Sequence, residues 1–297
     1  MLRILGHSTL AVFALLLCAA PANADDGYLL RYKFRPGMFI HLKITDKMQI
    51  EAKYNANVEK HANKAVTWKH YRVITADERG QAVLETLNER VSMELKFGEH
   101  PAVNFDTANP GDSPDPKFQA VLASTGKPLA RTEVTSRGEL VKLTPLVTDI
   151  PGAAEASNFL VVFPEEPVPI GGKWKESFDT PVTVGKTLQQ NFSLMREYTL
   201  VSVDGNLAHI KMRVGPKGVL NDPQMEMQLM QRLITSDIVF DMSRGLIVSQ
   251  HNTVDRNVVN PLGPGSQVSA IGDYRLELTD SPAAVQQAAA GAKTESK

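Results

Sequence analysis

The chain has 297 residues, with 32 basic and 33 acidic side chains and a single cysteine. Near-balanced charge with no Lys/Arg run weighs against nucleic acid or another polyanion as partner, because neutralising phosphates needs a basic excess on one face. Two tryptophans and 6% aromatic residues give little material for a sugar-binding or base-stacking platform.

Residues 1–24 read as a secretory signal peptide. Arg3 makes a short basic start, Leu10 to Ala20 is almost wholly apolar, and Ala22-Asn23-Ala24 supplies small residues before Asp25-Asp26. That is the three-part pattern of an exported chain cleaved after Ala24. The apolar run is shorter than the ~20 residues that span a bilayer, so no transmembrane segment is expected after cleavage. Cys18 follows Leu17, where a lipid-modified cysteine needs a small residue, so a lipoprotein is not expected. Cleavage would remove Arg3 alone among the charged side chains, leaving 31 basic and 33 acidic groups, a net charge of −2. Cys18 would leave with the signal, so a periplasmic or secreted mature chain must rely on its core instead of disulfides.

The next signal is a period of two. From Met38 to Lys53 the even positions are mainly apolar (Ile40, Leu42, Ile44, Met48, Ile50) and the odd ones polar (His41, Lys43, Thr45, Gln49, Glu51). This predicts a half-buried strand of about 50 Å, long enough that a bend or bulge near Asp46 is expected. Val83 to Phe97, Ala208 to Val214 and Ala270 to Leu278 alternate in the same way. Turns follow at Arg79-Gly80, Ser136-Arg137-Gly138, Asp204-Gly205 and Ser243-Arg244-Gly245, where glycine supplies the positive φ. The fold class is mainly β, with few short helices and antiparallel meanders forming curved sheets or half-barrels.

The chain also reads as an internal duplication. Asp115-Pro116 precedes Ser136-Arg137-Gly138 at the spacing by which Asp222-Pro223 precedes Ser243-Arg244-Gly245, 23 residues from Asp to Gly in each. Two similar modules follow, residues 25–150 and 157–280, with a Pro-Gly join near Val147 to Ser157. Asp before Pro suits a helix N-cap, but Met225, Met227 and Leu229 also alternate as a strand would, so helix and strand stay open at both places. The first module has an additional loop at about 97–113, rich in Gly, Pro, Asn and Asp. Residues 281–297, mostly Ala, Gln, Ser and Lys, read as a disordered tail.

No sequence pattern for chemistry emerges. The histidines make no HExxH or HxH, and His61 and His70 read as solvated strand-end residues. Asp106, Asn109, Asp112 and Asp115 lack the ligand spacing of a calcium loop. There is no Gly-x-Ser-x-Gly, no phosphate loop and no dinucleotide motif. The expectation is therefore no catalytic residues, no metal and no cofactor.

Two motifs carry a resemblance. Tyr32-Lys-Phe-Arg-Pro-Gly37 and Pro167-Val-Pro-Ile-Gly-Gly-Lys-Trp174, with the signal peptide, resemble a group of exported bacterial β-rich proteins catalogued only as a domain of unknown function. The resemblance implies no site residues. The long meander is similar in architecture to the half-barrel of periplasmic lipoprotein carriers, an analogy that does not license a function.

The functional expectation is a non-catalytic exported protein that binds an apolar ligand or partner segment on a curved sheet. A structural cell-envelope protein acting through protein contacts, or a hydrolase without a sequence motif, are the alternatives. If it binds an apolar ligand, the candidate residues are Phe105 and Asp106 in the additional loop and Met225, Met227 and Met230, whose side chains can repack around varied shapes. Oligomeric state is left open.

Overall fold

A computed structural model describes residues 27–112, 115–147, 160–184 and 188–280. The predicted signal peptide, the tail at 281–297 and all of the join except Val147 lie outside the described residues. The first half supplies β1 (Phe39–Tyr54), β2 (Asn57–Ala76), β3 (Ala82–Phe97), β4 (Val103–Asp106), β5 (Pro128–Val134) and β6 (Leu140–Pro145). The second supplies β7 (Lys173–Val184), β8 (Leu188–Asp204), β9 (Leu207–Pro216), β10 (Thr235–Asp241), β11 (Leu246–Val259) and β12 (Gln267–Thr279). Two short helices are described, α1 (Gln119–Ala123), entered through a 3-10 turn at Pro116–Phe118, and α2 (Pro223–Leu229).

All twelve strands belong to one sheet, in the order β6-β5-β3-β2-β1-β12-β11-β10-β9-β8-β7, with β4 pairing β3 off this path. Every described strand pairing is antiparallel. β6 and β7 stand at the two ends of that order, so the sheet does not close into a barrel. Each half opens with three strands in an antiparallel meander and has a short helix after an Asp-Pro pair, but two strands follow the helix in the first half and three in the second, and β4 has no counterpart. The two predicted modules lie in one continuous sheet, joined where β12 pairs with β1.

The alternation in β1 becomes the two faces of the sheet. Ile40 and Leu42 are buried, while Phe39, on the opposite face of β1, is half exposed. The register of β1 with β2 runs unbroken from Phe39 to Tyr54, so the bulge expected near Asp46 is absent. Register shifts occur instead in other pairs, among them β2 with β3 at Trp68/Lys69 and Val73/Thr75. β1 keeps continuous pairs on both sides.

What fills the curve has no regular secondary structure. Residues 28–34 contribute buried Leu30, Tyr32 and Phe34, and residues 160–168 contribute Leu160, Val161, Phe163 and Val168. One apolar cluster contains these together with Val134 of β5, Leu42 of β1 and Leu194 of β8, so the two arms of the sheet curve around the segments. Tyr32 lies against Phe34, Phe163 and Phe240 at ring separations of 5.4, 5.2 and 5.5 Å. The segments meet the two Ser-Arg-Gly turns directly. The Tyr32 N–H donates to the Ser136 carbonyl at 2.8 Å and the Lys33 N–H to the Gly245 carbonyl at 3.3 Å. The Val161 N–H donates to the Tyr32 hydroxyl at 2.9 Å, and the Arg31 guanidinium to the Pro164 carbonyl at 2.7 Å. A buried segment outside any ladder must satisfy its backbone this way.

Both Asp-Pro pairs open helical turns. The Asp115 carboxylate accepts from the Lys117 N–H at 3.0 Å and that of Asp222 from the Gln224 N–H at 2.8 Å, satisfying amides that have no partner within the helix.

Candidate functional site

A cavity of about 250 Å³ lies on the inner face, lined by residues from β8 to β12 and from the segment at 160–161. Its apolar walls are Leu160, Val161, Met212, Ile234 and Ile238, and its polar groups are Arg196, Tyr198, Gln250, Asn252 and Tyr274. The register explains the grouping. Tyr274 of β12 pairs with Asn252 of β11, Asn252 with Ser236 of β10, Ser236 with Met212 of β9, and Met212 with Tyr198 of β8. Residues opposite one another across a sheet share a face. One transverse row therefore carries polar side chains across the inner face, ending on Trp174 of β7 opposite Tyr198.

The polar groups are held in place. Arg196 forms an ion pair with Glu176 at 3.0 Å and stands over the Phe178 ring at 4.1 Å from its centre. The Tyr198 hydroxyl donates to the same Glu176 carboxylate at 3.2 Å, and its ring stacks on Trp174 at 5.1 Å. Trp174 in turn donates its indole N–H to the Val162 carbonyl at 2.9 Å. Gln250 donates to the Asn252 side-chain oxygen at 2.9 Å. Burial pushes the Tyr198 and Tyr274 phenols well above their ordinary range, so both remain neutral hydrogen-bonding groups at physiological pH. The arrangement offers an apolar wall with one guanidinium and several neutral donors and acceptors, which is the make-up of a small-molecule site.

The residues singled out from sequence lie elsewhere. Phe105 is on β4, buried, with its ring stacked on Phe118 at 4.4 Å. Asp106 pairs with Arg90, whose Nε donates to its carboxylate at 2.8 Å. That hydrogen bond holds the Asp106 carboxyl below its usual range. Both line a surface cavity of about 440 Å³ with Lys64, Val66, Ser92, Met93, Glu94, Asn104, Asn109 and Pro110. The additional loop at 97–113 is thus partly a strand docked on β3. Met225 packs on the main cluster. Met230 is buried in a second cluster with Val254, Val258, Val268 and Ala270, on which Met227 packs. α2 touches β7 and β11, whereas β4 touches β3, with β2, β1 and β12 between β3 and β11 in the sheet order. The described structure brings Phe105 and Asp106 together, and Met227 near Met230, on different parts of the sheet.

One grouping is invisible to spacing along the chain. His41 of β1 lies directly opposite His70 of β2, and Glu89 of β3 reaches both. Its Oε1 lies 3.0 Å from His41 Nδ1 and 2.7 Å from His70 Nδ1. Arg90 pairs with Trp68 and Asn88 with Lys69, so Glu89 is the additional residue of a β-bulge, which re-aims its side chain. His70 is thus not a solvated strand-end residue: its side chain is 17% exposed. A two-residue turn at Asn55–Ala56 would have fixed the pairing of His41 with His70 from sequence alone, but the bulge has no comparable signal.

No family model matches the chain, and no curated protein matches it. Among solved structures, the chain is similar to one titled "Lipid-protein interactions in lipovitellin", at 14% identity and a TM-score of 0.47. The match covers 83% of this chain and 25% of that one, so the chain spans a quarter of the length of the protein it matches. No helix among the described residues is long and apolar enough to cross a membrane.

Proposed function

We propose that the protein binds an apolar or amphipathic small molecule on the inner face of its curved sheet, without doing chemistry on it. The observation that carries this reading is the inner cavity, where five apolar walls face Arg196, Gln250, Asn252 and the two tyrosines. About 250 Å³ accommodates one short chain or ring system, a little below the usual range for drug-sized ligands. An acidic headgroup suits Arg196, because a guanidinium pairs with a carboxylate through two parallel hydrogen bonds. Glu176 already occupies one face of Arg196 and fixes its direction.

The test is native mass spectrometry of the protein from its own host, followed by competition between any retained molecule and a fluorescent fatty acid. One bound molecule per chain is expected, with Ile238→Trp filling the cavity and weakening probe binding at least tenfold. Wild-type protein that retains nothing and ignores the probe overturns the reading, as does unchanged affinity in a folded Ile238→Trp variant.

A second reading, an envelope protein acting through protein contacts, rests on the sheet edge. Among the described strands β6 pairs with β5 alone, and Leu140, Val141 and Leu146 at this edge are 48%, 52% and 43% exposed. An open edge with apolar side chains is a template for another strand. Sedimentation of wild type beside Val141→Lys decides it: a self-association or envelope-partner complex lost in the variant supports this reading, and monomers in both exclude self-pairing.

A further inference from the structure

We propose that His41, His70 and Glu89 form a binding site for a divalent transition-metal ion, with Zn²⁺ as the fitting occupant. The three lie on the outer face of β1, β2 and β3, opposite to the inner cavity, so the site is independent of the small-molecule reading. Each residue offers one ligand atom, and the three atoms lie within 4.8 Å of one another.

Three features favour a metal over a plain hydrogen-bonded cluster. The donor set comes first. Two imidazole nitrogens and one carboxylate oxygen suit Zn²⁺ and its neighbours, whereas Ca²⁺ and Mg²⁺ demand more oxygens. Zinc with two histidines and a glutamate leaves a fourth position for water.

Spacing comes second. Ligand atoms at ~2.0–2.1 Å from a tetrahedral ion stand roughly 3.3 Å apart. The observed separations of 3.0 and 2.7 Å fall just inside that value, so small side-chain rotations open the place for an ion. Both Nδ1 atoms address the same oxygen, Oε1, so all three ligand atoms are gathered in one place.

The third feature is rigidity. His41 and His70 are paired residues of two long strands, and Glu89 is fixed by the bulge. Phe39 stacks on His41 with ring centres 5.9 Å apart and meets His70 edge-on at 5.2 Å, which holds the rings in orientation. Ligands on rigid strands give up little entropy on closing around an ion. The Arg72 guanidinium stands over the Phe39 ring, 5.9 Å from its centre. With side-chain exposures of 16%, 17% and 13% for His41, His70 and Glu89, the site is sheltered and still open to an entering ion.

The experiment uses the full chain, stripped with a chelator and dialysed against Zn²⁺, with Co²⁺ as a spectroscopic substitute. One Zn²⁺ per chain is expected, together with a Co²⁺ absorption spectrum showing nitrogen and oxygen ligands. Losing an outer partner of a metal ligand typically costs 10–100-fold in affinity, so His70→Ala and Glu89→Gln, which remove a ligand, should cost at least that. His61→Ala, which alters an exposed histidine further along β2, should leave affinity unchanged. Imidazole NMR of the wild type needs no variant: Zn²⁺ must shift the His41 and His70 resonances and leave that of His61 in place. Absence of stoichiometric uptake, undiminished affinity in the variants, or shifts confined to other histidines each overturns the proposal.

Discussion

Lys69 shows how a single side chain couples the inner face to pH. It sits on that face opposite Leu42 of β1 and Asn88 of β3, only 5% exposed, with its ammonium 5.6 Å from the centre of the Tyr71 ring. Burial lowers its pKa from 10.5 to about 8. The unfolded chain keeps this proton until about pH 10.5 and the folded chain only until about 8. Between those values the unfolded state binds more protons, so stability rises with pH. Below pH 8 the fold must hold the charge, at a cost on the order of 3 kcal/mol by the 1.36 kcal/mol per pKa unit. The melting temperature of the wild type, compared with that of Lys69→Met, is expected to climb from pH 8 to about 9.5. A difference that stays flat across that window would show that Lys69 is not desolvated. Glycines give a second residue-scale contrast. At Gly205, φ is 57° and an added Cβ meets nothing within 4 Å, so Gly205→Ala should cost only the ~1–2 kcal/mol of left-handed backbone. At Gly138, φ is 87° and the Cβ would stand 2.4 Å from the Val161 carbonyl oxygen. Gly138→Ala should therefore lower the melting temperature more than Gly205→Ala, because backbone must move as well. Equal losses would mean that the segment at 160–168 yields freely.

At the scale of elements, β4 and α1 behave as a unit. A loop without counterpart in the second half, as residues 97–113 read from sequence, is expected to be dispensable for the fold. The structure changes that expectation. Phe105 covers Phe118, which is 2% exposed, so the deletion would uncover a buried ring. Phe118→Ala should cost about 3–5 kcal/mol. Deleting 99–113 should cost a comparable amount and increase binding of an apolar dye, and a deletion that melts like wild type would return the segment to the status of a dispensable loop. What was legible in the sequence follows the same physics. β1 could be read from its period of two, because one face is buried along its length and the other is not. The helices after Asp115 and Asp222 could be read only as one of two outcomes, since a short apolar run fits either period. The segments at 28–34 and 160–168 were opaque for different reasons: Leu30, Tyr32 and Phe34 do alternate with exposed Leu29 and Lys33, but over a short run that joins no ladder, whereas Leu160 and Val161 are buried side by side, so no period marks them. The grouping of His41, His70 and Glu89 depends on a bulge, whose cause is the packing of β3 against β2 and not a local residue signal.

At the scale of the molecule, one sheet of twelve strands, wrapped about two irregular segments, puts its polar row and its histidine cluster on opposite faces. The cavity draws its walls from β8 to β12 and the histidine cluster from β1 to β3, with no shared residue, so filling the one and loading the other should be additive. Titrating the fluorescent fatty acid with and without Zn²⁺ is expected to give the same affinity within about twofold, the level at which coupling is below ~0.4 kcal/mol. A larger change would mean that one ligand alters the curvature of the whole sheet.

The seam between β1 and β12 carries a further consequence, for the order of assembly. Of the described strands, β12 emerges last from the ribosome, yet it lies in the middle of the sheet between β1 and β11. Thr279 must find His41, and until it does the first half of the chain exposes the open edge of β1, with its long alternating pattern, to any passing strand. Pairings so distant in sequence close slowly, because the entropy of the loop is lost before the contacts form. A nascent or truncated chain ending at Pro261 would therefore carry two unjoined half-sheets with two sticky central edges, one on β1 and one on β11, which makes the final strand the natural point at which a chaperone holding this chain would let go.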